Sequence, residues 1–228
     1  MNYTFLRKED TSNTFLSDNN QETFSYGYED LKKLRIKRIF DIILSLFGLL
    51  LICSWLFPLM GLIIKLTSEG PVFFKQIRHG KNNVPFYCYK FRTMVLNKNA
   101  DVMQAKKDDL RITKIGRILR KRSLDELPQL INVLLGDMSI VGPRPHAVPM
   151  NENFSKVIPI YMVRHTMKPG ITGLAQSKGY RGEIINFHDL SSRFRLDIFY
   201  IKNWCLYFDL KILIWTAYTL VFRNDKAY

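Results

Sequence analysis

Between Ile42 and Ile64 the chain carries no charged side chain for 23 consecutive positions. Wound as a helix, such a stretch can cross the roughly 30 Å hydrocarbon core of a bilayer. Pro58 lies inside it. Proline has no N–H for the carbonyl of Ser54 and its ring clashes with that turn, so the helix is expected to kink or break over Ser54–Pro58. Lys32, Lys33, Arg35, Lys37 and Arg38 precede the segment, and Lys65, Lys75, Arg78 and Lys81 follow it. Basic residues are retained on the cytoplasmic side, so both flanks favour the same side. Together these features favour a re-entrant membrane hairpin over residues 31–66 rather than a spanning helix. Its first arm, Ile42 to Phe57, would be about 24 Å long at 1.5 Å per residue. Asp41, at the entrance, is expected to pair with Arg38.

Residues 1–30 are polar without an apolar period and read as a flexible arm or linker, not a signal peptide. Residues 67–228 are long enough for one ordinary domain. Lys and Arg outnumber Asp and Glu by 34 to 20, a net charge of +14. That favours an anionic partner, whether nucleic acid, phosphorylated metabolite or anionic membrane. No helix-turn-helix or RNA-binding signature supports nucleic acid. Cys53, Cys88 and Cys205 match no metal spacing or disulfide framework and read as reduced thiols. The histidines His79, His146, His165 and His188 are equally scattered.

In "SEGPVFFKQIRHGKNNVPFYCYKFRTM", turn signals alternate with short apolar runs, which predicts an antiparallel β-hairpin. Strand alternation would put Lys90 and Arg92 on one face and Tyr89 and Phe91 on the other. Further on, Leu127, Leu130, Ile131 and Leu134 fall on one face of a helix that Gly136 is placed to end and Pro128 to begin. Asp125 and Glu126 therefore sit at or just before a helix start. Ser123-x-x-Glu126 matches a capping box. The same place, beside Arg117, Arg120, Lys121 and Arg122, would equally make a phosphate pocket and a carboxylate pair suited to Mg²⁺. Local chemistry leaves the two readings even. Arg144, mounted between two prolines, has the stiffness a phosphate clamp needs. "RHTMKPGITGLAQSKGYRGE" reads as a basic loop able to close over a nucleotide or sugar. "FRLDIFYIKNWCLYFDLKILIWTAYTLVF" holds two apolar helices, read as core or as interfacial with Trp204, Tyr207 and Trp215 as anchors.

With "KRIFDIILSLFGLLL", "GPVFFKQIRHG", "YKFRTM", "SLDELPQLINVLLGDMSIVGPRP", "KPGITGLAQ", "YRGE" and "YIKNWCLYFDLKI" in this order, the chain resembles the bacterial sugar transferases from about Leu34 to Tyr228. These are polyprenyl-phosphate phosphoglycosyl transferases that begin capsule, exopolysaccharide and O-antigen synthesis. The resemblance implies an α+β, mostly helical fold with a re-entrant membrane helix-break-helix at Ser54 and Pro58, a small antiparallel sheet and interfacial amphipathic helices. It places the chain on the cytoplasmic face of the inner membrane. Asp125 falls at the nucleophile and Glu126 at its partner. The aspartate would attack the sugar-bearing phosphate of a UDP-sugar, release UMP, and pass the sugar phosphate to undecaprenyl phosphate. Mg²⁺ is the implied cofactor, with Asp125 and Glu126 as its ligands. Arg120 and Arg144 would hold phosphates, Lys90 and Arg92 would support the site, and Arg181 of "YRGE" would face the substrate. A homodimer is left open, and no nucleic-acid partner is expected. "YRGE" and "NDKAY" are similar to the branch of undecaprenyl-phosphate glucose or galactose phosphotransferases, whose longer members carry further N-terminal segments. Leu174 stands where the family usually has Trp, and Ser177-Lys178 replaces Val-Asn; these positions are expected near the sugar or lipid site.

Overall fold

A computed structural model describes residues 31–96 and 109–222. The polar arm over residues 1–30, residues 97–108 of the mixed charged stretch and the "NDKAY" ending lie outside the described residues. Within them the fold is mostly helical with two small sheets of two strands each.

The apolar segment forms α1 (Leu31–Gly48) and α2 (Ser54–Thr67), joined by a π turn over Leu49–Cys53. The three pieces run on as one helix of 37 residues, long and apolar enough by length and composition to cross a membrane. Of the expected kink or break over Ser54–Pro58, the break is absent: helical structure continues through Pro58, and a π turn precedes it. A widened turn gives room where a proline ring would otherwise strain the ladder. Its carbonyls also find donors. Ser54 Oγ donates to Leu50 O at 2.7 Å and Trp55 Nε1 to Leu51 O at 3.1 Å.

Lys37, Asp41 and Ser45 of α1 and Leu56, Met60 and Ile64 of α2 are buried. Their spacing of three to four residues keeps one stripe of each arm against the rest of the protein. Ile39, Ile43, Phe47, Leu51, Trp55 and Leu62 on the remaining faces are exposed. Asp41 does not pair with Arg38. It is buried and accepts from Ser139 Oγ and from the Ile140 amide, both at 3.0 Å. Arg38 donates instead to the carbonyls of Val133 and Leu134, in the last turn of the helix over Gln129–Leu135.

The predicted hairpin is β1 (Phe73–His79) and β2 (Pro85–Phe91), antiparallel with Phe73 opposite Phe91 and His79 opposite Pro85. Asn82 and Asn83 turn it with φ of 54° and 62°, a conformation asparagine tolerates better than most residues. The free edge of β2 is closed by a side chain. Tyr89 N donates to Asn132 Oδ1 at 3.0 Å, and Asn132 Nδ2 donates to Tyr87 O at 2.7 Å.

Asn132 belongs to α4 (Gln129–Leu135), which follows α3 (Lys114–Lys121) and ends at Gly136 with φ 96°. Pro128 caps α4 rather than lying in its first turn. Gln129, Asn132 and Val133 are its buried residues, so the expected apolar stripe is only partly covered. The polar face is turned inward because Asn132 must reach β2. Gly48 lies against Leu130 of that stripe.

The second sheet was not expected. β3 (Ser139–Val141) and β4 (Gly170–Thr172) pair in parallel, Ser139 with Gly170 and Val141 with Thr172. A Cβ on Gly170 would stand 2.0 Å from the Gly142 nitrogen, so the backbones of "GPRP" and "KPGITG" approach too closely for any side chain. Helices α5 (Val148–Val157), α6 (Leu174–Ser177), α7 (Phe187–Lys202) and α8 (Leu206–Phe222) complete the described chain. Cys88, Val133, Met138, Val141, Leu174, Tyr200 and Ile212 meet in one core cluster. Leu174 is thus a buried core residue between α6 and its neighbours. Lys178 stacks 3.7 Å from the Trp215 ring centroid.

Candidate active site

Asp125 and Glu126 lie in a single 3₁₀ turn, Leu124–Glu126, between α3 and α4, and both are buried. The capping-box reading of Ser123 is corrected by the backbone. Ser123 adopts φ 56°, ψ 20° and makes no side-chain cap, because a left-handed residue aims its side chain away from the turn it would cap. Its hydroxyl instead accepts from Arg181 Nη2 at 2.8 Å.

The two acids have opposite surroundings. Glu126 Oε1 accepts from Lys90 Nζ at 2.6 Å and from Arg144 Nη2 at 2.7 Å, and Arg144 Nη1 reaches Oε2 at 3.3 Å. Burial works to raise the Glu126 pKa, but the charges and hydrogen bonds of Arg144 and Lys90 hold it well below the usual range. Among the described residues no hydrogen bond is donated to the Asp125 carboxylate. Burial raises its pKa, the Glu126 charge adds to the rise, and Lys90, Arg120 and Arg144 oppose it. One carboxylate is therefore pinned and the other is left with open oxygens.

The supporting cations are themselves mounted. Lys90 extends from β2, whose edge Asn132 holds. Arg144 sits in the loop after β3, where the carbonyl of Arg144 accepts from Arg164 Nη2 at 2.8 Å and that of Pro145 accepts from Arg78. Arg164 is fixed in turn by Asp197, Nε to Oδ2 at 2.8 Å, and by the Tyr161 hydroxyl at 2.9 Å. His146 Nδ1 lies 2.7 Å from that hydroxyl. Burial first and neighbouring arginines second hold His146 far below its ordinary pKa, so it stays neutral behind the site.

Sequence reading thus named Lys90, Arg120, Arg144 and Arg181, and the fold brings all four to the acid pair. It does not bring Arg92. That guanidinium donates to the carbonyls of Ser68, Glu69 and Pro71 beyond the end of α2, because β2 ends at Phe91 and the chain turns away. Arg117, Lys121 and Arg122 are exposed on α3. Asn132, Ser123, Arg78 and Arg164 were not foreseen as supports. Arg164 lies in the stretch read as a basic loop, and nothing in the text distinguishes a buried arginine from a solvated one.

Among the described residues no group of three or more His, Cys, Asp or Glu side chains could hold a metal. A two-carboxylate donor set still fits Mg²⁺, which fills its octahedral shell with water and substrate phosphates. Asp125 has the open oxygens, whereas Glu126 already accepts from two cations.

A sequence profile of the family described as Bacterial sugar transferase matches residues 32–223. The chain is 48% identical over 193 residues to a UDP-glucose:undecaprenyl-phosphate glucose-1-phosphate transferase of Klebsiella pneumoniae, covering 84% of this chain and 41% of that protein. It is 45% identical over 193 residues to a protein of the same description from Caulobacter vibrioides, covering 84% and 72%. An exopolysaccharide production protein PSS of Rhizobium leguminosarum bv. phaseoli is 45% identical over 196 residues, 84% of this chain and 98% of that protein. The chain spans about two fifths of the Klebsiella relative's length.

Proposed function

The chain belongs to the bacterial sugar transferase family, and on that premise we propose that it moves a sugar 1-phosphate from a UDP-sugar to undecaprenyl phosphate. The observation that carries this reading is the unequal acid pair: Glu126 clamped by Lys90 and Arg144, and Asp125 beside it with free oxygens. A nucleophile must have an available lone pair, and a phosphoryl donor must be held by cations.

In the first step an Asp125 oxygen forms a bond to the sugar-bearing phosphorus. The bond from that phosphorus to the oxygen bridging to the uridine-side phosphate breaks, and UMP leaves with its electron pair. In the second step a phosphate oxygen of undecaprenyl phosphate attacks the same phosphorus. The aspartyl oxygen leaves as carboxylate, which restores Asp125. Arg120, Arg144 and Arg181 offset charge on the phosphates, and Lys90 with Arg144 keeps Glu126 ionised. Mg²⁺ held by Asp125 and Glu126 would offset further charge on the diphosphate.

The lipid acceptor requires a membrane. The apolar helix with its exposed Ile39, Ile43, Phe47, Leu51 and Trp55, and the exposed Tyr207, Leu210, Ile214 and Tyr218 of α8, support attachment to the inner membrane on its cytoplasmic face. Both arms of the helix are held to the rest of the chain, α1 through Lys37 on Asp209 of α8 and α2 through Ile64 in a cluster with Phe91 and Leu119, which supports a re-entrant course. A chain in this role would start a capsule, exopolysaccharide or O-antigen, and a homodimer is compatible with it.

The test incubates the purified, membrane-reconstituted chain with undecaprenyl phosphate and a panel of UDP-sugars, reading UMP. One donor is expected to release UMP, and Asp125→Asn is expected to abolish that release while the melting temperature holds or rises. Full turnover by the variant would sink the assignment of Asp125.

A further inference from the structure

Ser123 is the one described non-glycine residue outside the β1–β2 turn with a positive φ. It stands where α3 ends, a position that glycine or asparagine usually fills. A serine there forgoes the easier backbone and must be held by its surroundings. What it adds over glycine is a hydroxyl, and that hydroxyl accepts from Arg181 at 2.8 Å.

Arg181 comes from "YRGE", 58 positions away, on a loop whose backbone is itself fixed. Arg193 of α7 donates to the carbonyls of Gly182 and Glu183 at 3.1 Å and of Arg181 at 3.4 Å. The loop main chain is thereby tied to α7, and the Arg181 side chain is tied at its far end to the turn bearing the acid pair. Its guanidinium is mostly buried near Arg144, Glu126 and Asp125, whose charges all act on it. A cation held near the Arg144 guanidinium, with no carboxylate within salt-bridge distance among the described residues, is poised for an anion.

We propose that Ser123 is a positioning residue: its hydroxyl holds Arg181 over Asp125 so that Arg181 grips the sugar-bearing phosphate of the donor. This rests on the reaction proposed above and names which of the two phosphates the loop reads. The uridine-side phosphate lies farther from Asp125 and is not Arg181's ligand. The left-handed turn serves the same end, because it points the hydroxyl outward toward the loop instead of into the next helical turn.

The experiment titrates UDP and, separately, UMP into the reconstituted full chain with Mg²⁺ present. Ser123→Gly relieves the backbone and removes the hydroxyl, so its melting temperature is expected to hold or rise. Its affinity for UDP is expected to fall about tenfold, while its affinity for UMP, which lacks the second phosphate, stays within twofold. Ser123→Asn, which favours the same backbone and carries an acceptor oxygen, is expected to recover most of the loss. In an Arg181→Ala background Ser123→Gly should add nothing further. Unchanged UDP affinity in Ser123→Gly, equal losses for UDP and UMP, or full additivity with Arg181→Ala would each overturn the proposal. If Asp125→Asn loses UMP release while Ser123→Gly binds UDP normally, this inference fails and the reaction stands. If the unaltered chain releases UMP from no UDP-sugar, the reaction itself falls.

Discussion

Two neighbouring carboxylates of one chain turn are given different chemistry by what donates to them. Glu126 is ionised and held by two cations, and Asp125 is buried with its oxygens open. The pH consequences have opposite signs. Glu126 has a folded pKa below its unfolded value, so the stability it contributes is complete above the unfolded pKa and is lost as pH falls through the folded one. Asp125 has a raised pKa, so ionising it costs stability at neutral pH, and its nucleophilic form disappears on acidification sooner than an exposed aspartate's would. Glu126→Gln tests both. It leaves Lys90 and Arg144 without their anion, at a cost of about 3 kcal/mol in thermal or denaturant unfolding. It also removes the charge that raises Asp125, so the acid limb of any residual UMP release is expected to move to lower pH. An acid limb that moves upward would contradict this account.

At the scale of elements, the active loop depends on a contact between two backbones. β3 and β4 pair in parallel, the backbones of Gly142 and Gly170 meet beside them, and the loop bearing Arg144 continues directly from β3. Gly170→Ala would press a methyl carbon to 2.0 Å from the Gly142 nitrogen, 2.4 Å from Thr172 O and 2.7 Å from Gly142 Cα. Backbone cannot yield as a flexible side chain does, so the variant is expected to lose at least about 3 kcal/mol and UMP release with it. Gly61→Ala is the control. It meets only Val72 side-chain carbons at 3.6 Å and 3.8 Å and sits inside α2, where alanine is the better helix former. Melting of both variants in the same detergent would check the contrast. Elements with their own local period were legible: the hairpin with its paired asparagines, α4 with its stop at Gly136, and the two closing helices. The β3–β4 pair was not. Three-residue strands have no period, and their partners lie about thirty residues apart in text that reads as loop.

For the whole molecule, part of the positive charge behind the net +14 has internal uses. Lys37, Arg38, Arg78, Arg92, Arg164 and Arg193 each donate to main-chain carbonyls. Lys37 also pairs with Asp209 of α8 at 2.6 Å, which ties the first described helix to the last. These bonds hold both arms of the apolar helix along one body. Cysteines introduced at Arg35 and Lys75, in a chain whose exposed Cys205 is replaced by Ser, are expected to be labelled from the same side of sealed vesicles. Labelling from opposite sides would replace the hairpin with a spanning helix. Determined by the sequence alone were the long apolar segment, the family and four of the cations around Asp125 and Glu126, because apolar length, ordered motifs and adjacent charges are properties of the linear text. Decided only in three dimensions were the course of the helix through Pro58, the core role of Leu174, the departure of Arg92, and which acid is pinned and which is open. The linear text does not name these partners: the packed backbone decides which carbonyls Arg92 meets, which carboxylate Lys90 and Arg144 reach, and which side chains close around Leu174.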